Sequence, residues 1–284
     1  MEKTKERTKA DRYMDSAIRD ILENGYMDEN PRPKYEDGTP AHTYSVNQVV
    51  RKYDLSKGEF PILTVRPIAW RTGIREIFTI YRTPTNNIRT MEQLGVNWWR
   101  PWDIGDGTIG HRYGYTVREY DLVNRLIDDI RTDPYGRRKI ISLWQEKDLR
   151  ETEGLAPCAF LTMWNVRGKY LDMTLVQRSG DMLTASGPGC INEVQYAAFQ
   201  MMIARHTGYE PGVFCHFVQN EQIYDRHIDA AYGLLRRLAD PGDGQRPRLE
   251  INSKANDFFS MEIEDFVMSD YVPVKPQLQL ELGI

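Results

Sequence analysis

The sequence predicts an α+β fold, a large mixed β-sheet with helices packed around it. Three observations predict it. Two stretches, 10–24 and 69–82, carry apolar residues at helical spacing. Three short runs rich in β-branched and aromatic residues fall between 139 and 176. Both kinds of pattern are mixed along a chain with no repeat, low-complexity tract or flexible linker, so residues 1–284 are read as a single domain.

Each element has a local reason. Over 10–24, Tyr13, Met14, Ala17, Ile18, Ile21 and Leu22 share one helical side, and Gly25 follows as a stop. Residues 29–42 (ENPRPKYEDGTPAH) are dense in proline, glycine and charge and predict a loop. Over 69–82, Trp70, Ile74, Ile77, Phe78 and Tyr81 form an apolar side, with Glu76 one step off the buried stripe. The runs 139–144, 159–166 and 170–176 predict strands, the last two joined as a hairpin across Arg167-Gly168-Lys169. Asn192 predicts an N-cap for a helix reaching about residue 206 and closed by Gly208; its apolar residues surround it, so it should be buried. A further helix over 225–238 precedes the turn-rich DPGDGQRP, and short strands are expected after it.

Composition narrows the function. Hydrophobic residues make up 40% and charged residues 27%, which suits a soluble globular chain with a substantial core. A net charge of -4 argues against a general grip on DNA or RNA, so any phosphate site must be local. Cys158, Cys190 and Cys215 form an odd set without CxxC spacing, which suggests neither a disulfide framework nor a zinc site, and no metal is expected. The charged N-terminus, MEKTKERTKADRYMD, lacks the apolar core of a signal peptide, and no run of about 18 apolar residues occurs. A cytoplasmic protein that binds no membrane is expected.

Some residues point to chemistry. Leu155-Ala156-Pro157-Cys158 sets a cysteine at a loop-to-strand junction, and Gln177-Arg178-Ser179-Gly180-Asp181 ends the second strand of the hairpin. Pairing of those strands would bring Arg178 beside Cys158, and a neighbouring guanidinium favours the nucleophilic thiolate. On composition alone, a cysteine in a strand-rich chain is more often a small buried hydrophobe. Arg32, the pair Arg137-Arg138 and Arg178 carry forks that suit a phosphate dianion, although each taken singly reads as a surface residue. Glu76 is more informative, because a carboxylate on an apolar helix must be paired, hydrated or shifted in pKa.

Taken together, DGTPAHT (37–43), PILTVRPIAW (61–70), DGTIGHRYG (106–114), RRKIISLW (137–144), LAPC (155–158), QRSGD (177–181) and IYDRHID (223–229) resemble the thymidylate synthase family, in order along nearly the whole chain. The resemblance implies that Cys158 adds to carbon 6 of a pyrimidine nucleotide. It gives Glu76 the role of general acid/base, with Tyr113 assisting that network. Arg178, with Gln177, Ser179 and Arg32, would sit at the nucleotide, and Arg178, Ser179 and Arg32 would hold its phosphate. Arg137 and Arg138 would reach that phosphate from the other subunit of a homodimer. Asn192 would read the ring edge, Tyr224 the sugar 3′-hydroxyl. Trp99, Trp102 and Asp181 would line the site of the co-substrate 5,10-methylenetetrahydrofolate, and the C-terminal Ile284 would close over it.

There are departures from the family pattern. LTASGPGCIN (183–192) is about three residues longer than usual, Gln222 replaces a sugar-contacting histidine, Arg100 stands where an aspartate is common, and Ala159 follows the nucleophile. Asn192 suits uracil where related dCMP hydroxymethylases carry aspartate, so the resemblance implies dUMP as substrate, and with Trp99 retained it implies methylation to dTMP. The alternatives are hydroxymethylation of dUMP or dCMP, with water trapping the carbon 5 methylene, and a catalytically silent nucleotide or RNA binder.

Overall fold

The structure, a computed structural model, describes residues 6–252 and 254–284; the first five residues of the charged N-terminus lie outside the described residues. Helix α1 (Lys9–Asn24) starts where the Thr8 side chain accepts from the Asp11 amide, and it buries Met14, Ile18 and Ile21. Strands β1 (Tyr26–Met27) and β2 (Thr43–Asp54) follow, separated by the predicted loop. Helix α2 (Trp70–Ile77) widens into a π-turn over Phe78–Arg82, so the single helix expected over 69–82 changes its winding at Phe78, two residues after Glu76.

Three short helices, α3 (Ile88–Gln93), α4 (Gly114–Glu119) and α5 (Leu122–Thr132), lead to β3 (Ile140–Ser142) and α6 (Glu146–Glu151). The predicted hairpin is β4 (Ala159–Arg167) and β5 (Tyr170–Gln177), turning at Gly168, whose φ of 61° is open to glycine at little cost. After β6 (Gly180–Asp181), helix α7 (Ile191–Thr207) ends at Gly208 as expected. Val194, Ala197, Phe199 and Met202 are all fully buried, so α7 runs through the interior with no solvent face. Strand β7 (Glu210–Tyr224), α8 (Ile228–Ala239) and the small pair β8 (Arg248–Ile251) and β9 (Phe266–Ser269) complete the chain.

The main sheet has seven strands in the order β1-β2-β7-β5-β4-β3, with β6 against the end of β7. It is mixed: β5 and β6 run parallel to β7, and the other pairs are antiparallel. One face packs on α7 and the core. The other carries Val50, Leu161, Met163, Val176 and Phe217 at paired positions, with Val50 51% and Met163 40% exposed. Among the described residues no helix is long and apolar enough to cross a membrane.

Candidate active site

The β4–β5 ladder explains why Cys158 and Arg178 meet. Ala159 pairs with Gln177, and the Arg178 amide donates to the Cys158 carbonyl at 3.0 Å, so the residues just beyond the pair lie side by side. A bulge between Ala159 and Leu161 re-aims the strand immediately after the cysteine. Arg178 donates from Nε to Pro157 O at 3.0 Å and from Nη2 to Ala156 O at 2.7 Å, which holds Nη2 3.6 Å from the Cys158 sulfur. Burial pushes the half-buried thiol up, while Arg178 and then Arg32 pull it down without prevailing. The guanidinium lowers the cost of the anion, and burial outweighs it, so the sulfur sits above the ordinary cysteine range.

Tyr113 lies across from the sulfur, its hydroxyl accepting from the Cys158 amide at 3.4 Å. It sits at φ 50°, a strained setting for an aromatic residue that brings its ring against Trp99 at 5.1 Å. Glu76 is 6% exposed and fully enclosed by donors: Trp98 Nε1 at 2.8 Å and Trp99 Nε1 on one oxygen, Gln195 Nε2 on the other. Burial raises its pKa, with Trp98, Gln195 and Trp99 opposing in that order. Glu76 therefore lies within the buried side of α2, which corrects the expectation of a position off that stripe; the paired indoles make burial tolerable.

Asn192 is not the N-cap of α7. Cys190 holds that position without a side-chain cap bond, and Glu193 reaches back to accept from the Gly189 amide at 2.7 Å. The Asn192 amide is thereby free for other work. Its Oδ1 accepts from Ser186 Oγ at 2.9 Å and Gln177 Nε2 at 3.3 Å, and its Nδ2 donates to Gln195 Oε1 at 2.9 Å. Gln195 then links Asn192 directly to Glu76.

These groups line one cavity of about 1210 Å³. Sites for one drug-sized ligand span roughly 300–1,000 Å³, so there is room for two molecules. Its wall includes Cys158, Arg178, Ser179, Gln177 and Asn192, with Arg32, Gln222 and Tyr224, and with Glu76, Tyr113, Trp99, Trp102 and Asp181. The C-terminal segment closes a side. Ile284 and Lys34 exchange backbone hydrogen bonds at 2.9 Å, and Arg226 clasps Glu281 with two bonds of 3.0 and 2.8 Å, which sets Leu282, Gly283 and Ile284 against the cavity.

Two predicted residues are not brought in: Arg137 and Arg138 are exposed before β3 and line no part of this cavity. Trp98, Ser186 and Gln195 line the same cavity and are not among the residues the sequence singles out. Signals existed for two of them, since Trp98 abuts Trp99 and Gln195 lies one helical turn after Asn192. Trp99 is bonded to Glu76 as well as lining the cavity, a contact its expected folate-side position did not suggest. Among the described residues no cluster of side chains is set to hold a metal ion.

A mixed sheet that carries a cysteine and an arginine on adjacent strand ends, opposite a carboxylate clamped by indoles and an amide relay, defines an enzyme of nucleophilic group transfer on a small anionic substrate. Which enzyme class this is follows from comparison. A family model described as thymidylate synthase matches residues 11–284. The chain is 46% identical to thymidylate synthase of Lactococcus lactis subsp. lactis (strain IL1403) and 47% identical to that of Streptococcus pneumoniae (strain ATCC BAA-255 / R6), each over 284 residues, 98% of this chain and 100% of the relative. Thermostable thymidylate synthase A from Bacillus subtilis superposes with a TM-score of 0.88 at 33% identity, over 98% of this chain and 100% of that one. The chain belongs to the thymidylate synthase family.

Proposed function

We propose that the chain is a single catalytic domain that converts dUMP and 5,10-methylenetetrahydrofolate to dTMP and dihydrofolate. The observation that carries this reading is the convergence of Cys158, Arg178, Glu76 and Asn192 on one cavity with room for two ligands. Arg178, Ser179 and Arg32 supply the donors for a phosphate dianion. Asn192 offers an oxygen to the ring N3–H and an N–H to the carbonyl oxygen at carbon 4. The Cys158 sulfur bonds to carbon 6 and the ring electrons move toward carbon 5, where they form the new carbon–carbon bond. Glu76, raised by burial, handles the proton at the carbon 4 oxygen and, through Tyr113, near carbon 5. Departure of the carbon 5 proton and breakage of the sulfur–carbon 6 bond restore the ring.

The folate supplies the one-carbon unit and then the hydride that completes the methyl group. Its fit rests on the wall: Trp98, Trp102, Ile80, Ile191 and Leu282 are apolar, suited to a planar bicyclic ring, and Gly283 and Ile284 limit water at the reacting carbon. Mixing the protein with dUMP and the folate should raise the absorbance of dihydrofolate in step with dTMP. A hydroxymethylated product without dihydrofolate would contradict methylation.

The same reading extends to a cytosolic homodimer. Its support is the outward sheet face, where Ile140, 51% exposed, pairs with Met163 at one edge and Val50 is exposed on the same face toward the other, a patch of a kind that marks an interface. Arg137 and Arg138 flank that face next to β3, free of their own cavity, and would enter the partner's. Free thiols at Cys158, Cys190 and Cys215 fit a reducing compartment. Mixing inactive Cys158→Ser chains with inactive Arg137→Ala/Arg138→Ala chains should restore about a quarter of full activity, since half the dimers are mixed and each has one intact site. No recovery after subunit exchange would contradict shared sites.

A further inference from the structure

Behind the Gln177 side of the cavity lies a buried ionic cluster that the proposed mechanism does not use. Arg51 of β2 donates from Nε to Glu193 Oε1 at 2.7 Å, from Nη1 to Glu221 at 2.7 and 2.9 Å, and from Nη2 to Ser186 O at 3.2 Å. Tyr53 donates to the second Glu193 oxygen at 2.7 Å. His216 of β7, with no exposed surface, sets Nδ1 3.0 Å from Glu193 Oε1 and 3.3 Å from Arg51 Nη2, and Nε2 3.1 Å from Gln177 Oε1. Burying such charges is costly, and apolar repacking of similar volume is often as stable or more so. Stability is therefore a poor reason for the cluster to exist.

Its contact with the cavity has a direction. The Gln177 side-chain atom 3.0 Å from the Ser179 carbonyl must be its nitrogen, because a carbonyl can only accept. The atom facing His216 is then the Gln177 oxygen, so His216 Nε2 carries a hydrogen, as it does in the imidazolium and in one neutral tautomer. With its oxygen anchored by His216, Gln177 turns its NH₂ toward Ser186 Oγ at 2.6 Å and Asn192 Oδ1 at 3.3 Å. A reversed Asn192 amide would set one NH₂ against another.

We propose that His216, clamped by Glu193 and Arg51, is a positioning residue that fixes the orientation of the Asn192 amide through Gln177, so that the cavity selects a uracil edge over a cytosine edge. The proposal rests on the reading of the cavity as a pyrimidine nucleotide site. Uracil offers N3–H and a carbonyl at carbon 4; cytosine offers a bare N3 and an amino group, so one amide orientation matches only one of them. Ser179 O also holds the Gln177 nitrogen and Gln195 Oε1 also holds Asn192 Nδ2, so loosening His216 weakens that orientation without abolishing it and narrows the difference between the two ligands.

The test is the ratio of dUMP to dCMP affinity, read by titration calorimetry on the full chain. His216→Phe, which keeps the ring but removes the donor, should lower that ratio about tenfold. His216→Gln, whose amide N–H can stand where Nε2–H does, should keep it within about threefold of the unaltered protein. Should the phenylalanine variant fail to fold, His216→Asn takes its place: its shorter amide keeps a partner for Glu193 but does not reach Gln177, and the ratio should fall as for phenylalanine. An unmoved ratio in a folded His216→Phe or His216→Asn chain, or an equal fall in His216→Gln, overturns the proposal. Asn192→Asp is the control for the underlying reading. No dUMP preference in the unaltered protein, or none lost in Asn192→Asp, removes the pyrimidine site itself, a result distinct from an intact preference that His216 does not control.

Discussion

Two cysteines in this fold stand beside an arginine, and only one of them faces the cavity. Cys158 lies 3.6 Å from Arg178 Nη2; Cys190 lies nearer to its own arginine, 3.1 Å from Arg66 Nη2. Burial raises both thiols and the arginine opposes it in both. Proximity to a guanidinium would therefore select the wrong sulfur. The difference is access and unspent bonding capacity. Cys190 is fully buried under the first turn of α7, and Arg66 Nη2 is also committed to Leu183 O at 2.6 Å. Cys158 is half-buried on the cavity wall, and among the described residues Arg178 Nη1 makes no bond to protein, leaving it for a ligand. A nucleophile is defined here by what the site leaves open more than by what it places nearby.

The comparison breaks most visibly under substitution. Cys158→Ser should lower turnover by about 10³-fold or more, since a hydroxyl is a far poorer nucleophile at neutral pH, while dUMP binding stays measurable. Cys190→Ala should keep turnover within about threefold and cost about 1 kcal/mol of stability, read by steady-state rates and denaturant unfolding. Equal losses of turnover in both would erase the distinction.

A smaller effect sharpens it. Alkylation of folded protein should modify Cys158 before Cys190, with a rate that climbs with pH through a midpoint above the ordinary cysteine value of about 8.5. The sign follows from burial: the thiol is favoured in the folded site, so more hydroxide is needed to form the reactive anion. Arg178→Ala removes the larger opposing influence and should move the midpoint higher still. A midpoint below that of free cysteine, or a downward move in the variant, would contradict the electrostatics described here.

The same contrast between open and closed groups explains what was legible in the sequence. The β4–β5 hairpin, and with it the Cys158–Arg178 contact, could be read because its inward residues (Thr162, Trp164, Val166, Leu171, Met173, Leu175) alternate with outward ones. The long strands β2 and β7, the most extensive antiparallel pair in the sheet, carry no such signal. Their inward positions include Arg51, His216 and Glu221, so the buried cluster erases the apolar alternation that would have marked them. An amide at a helix start is usually spent on backbone, which makes Asn192 resemble a cap; here Glu193 reaches back to the Gly189 amide instead. Glu76 was recognised as anomalous, but its partners Trp98, Trp99 and Gln195 come from three places in the chain, and no local pattern brings them together. Arg137 and Arg138 line no part of their own chain's cavity, and a role across subunits has no signature within one chain.

One measurement tests the central claim most directly. A fluorine at carbon 5 of the nucleotide cannot leave as a cation, so 5-fluoro-dUMP with the folate should halt the reaction after sulfur has bonded to carbon 6. Peptide mass analysis of the denatured complex should then find nucleotide and folate on Cys158 alone. A stable adduct on Cys190 or Cys215, or full turnover of dUMP with no trapped adduct, would contradict the account.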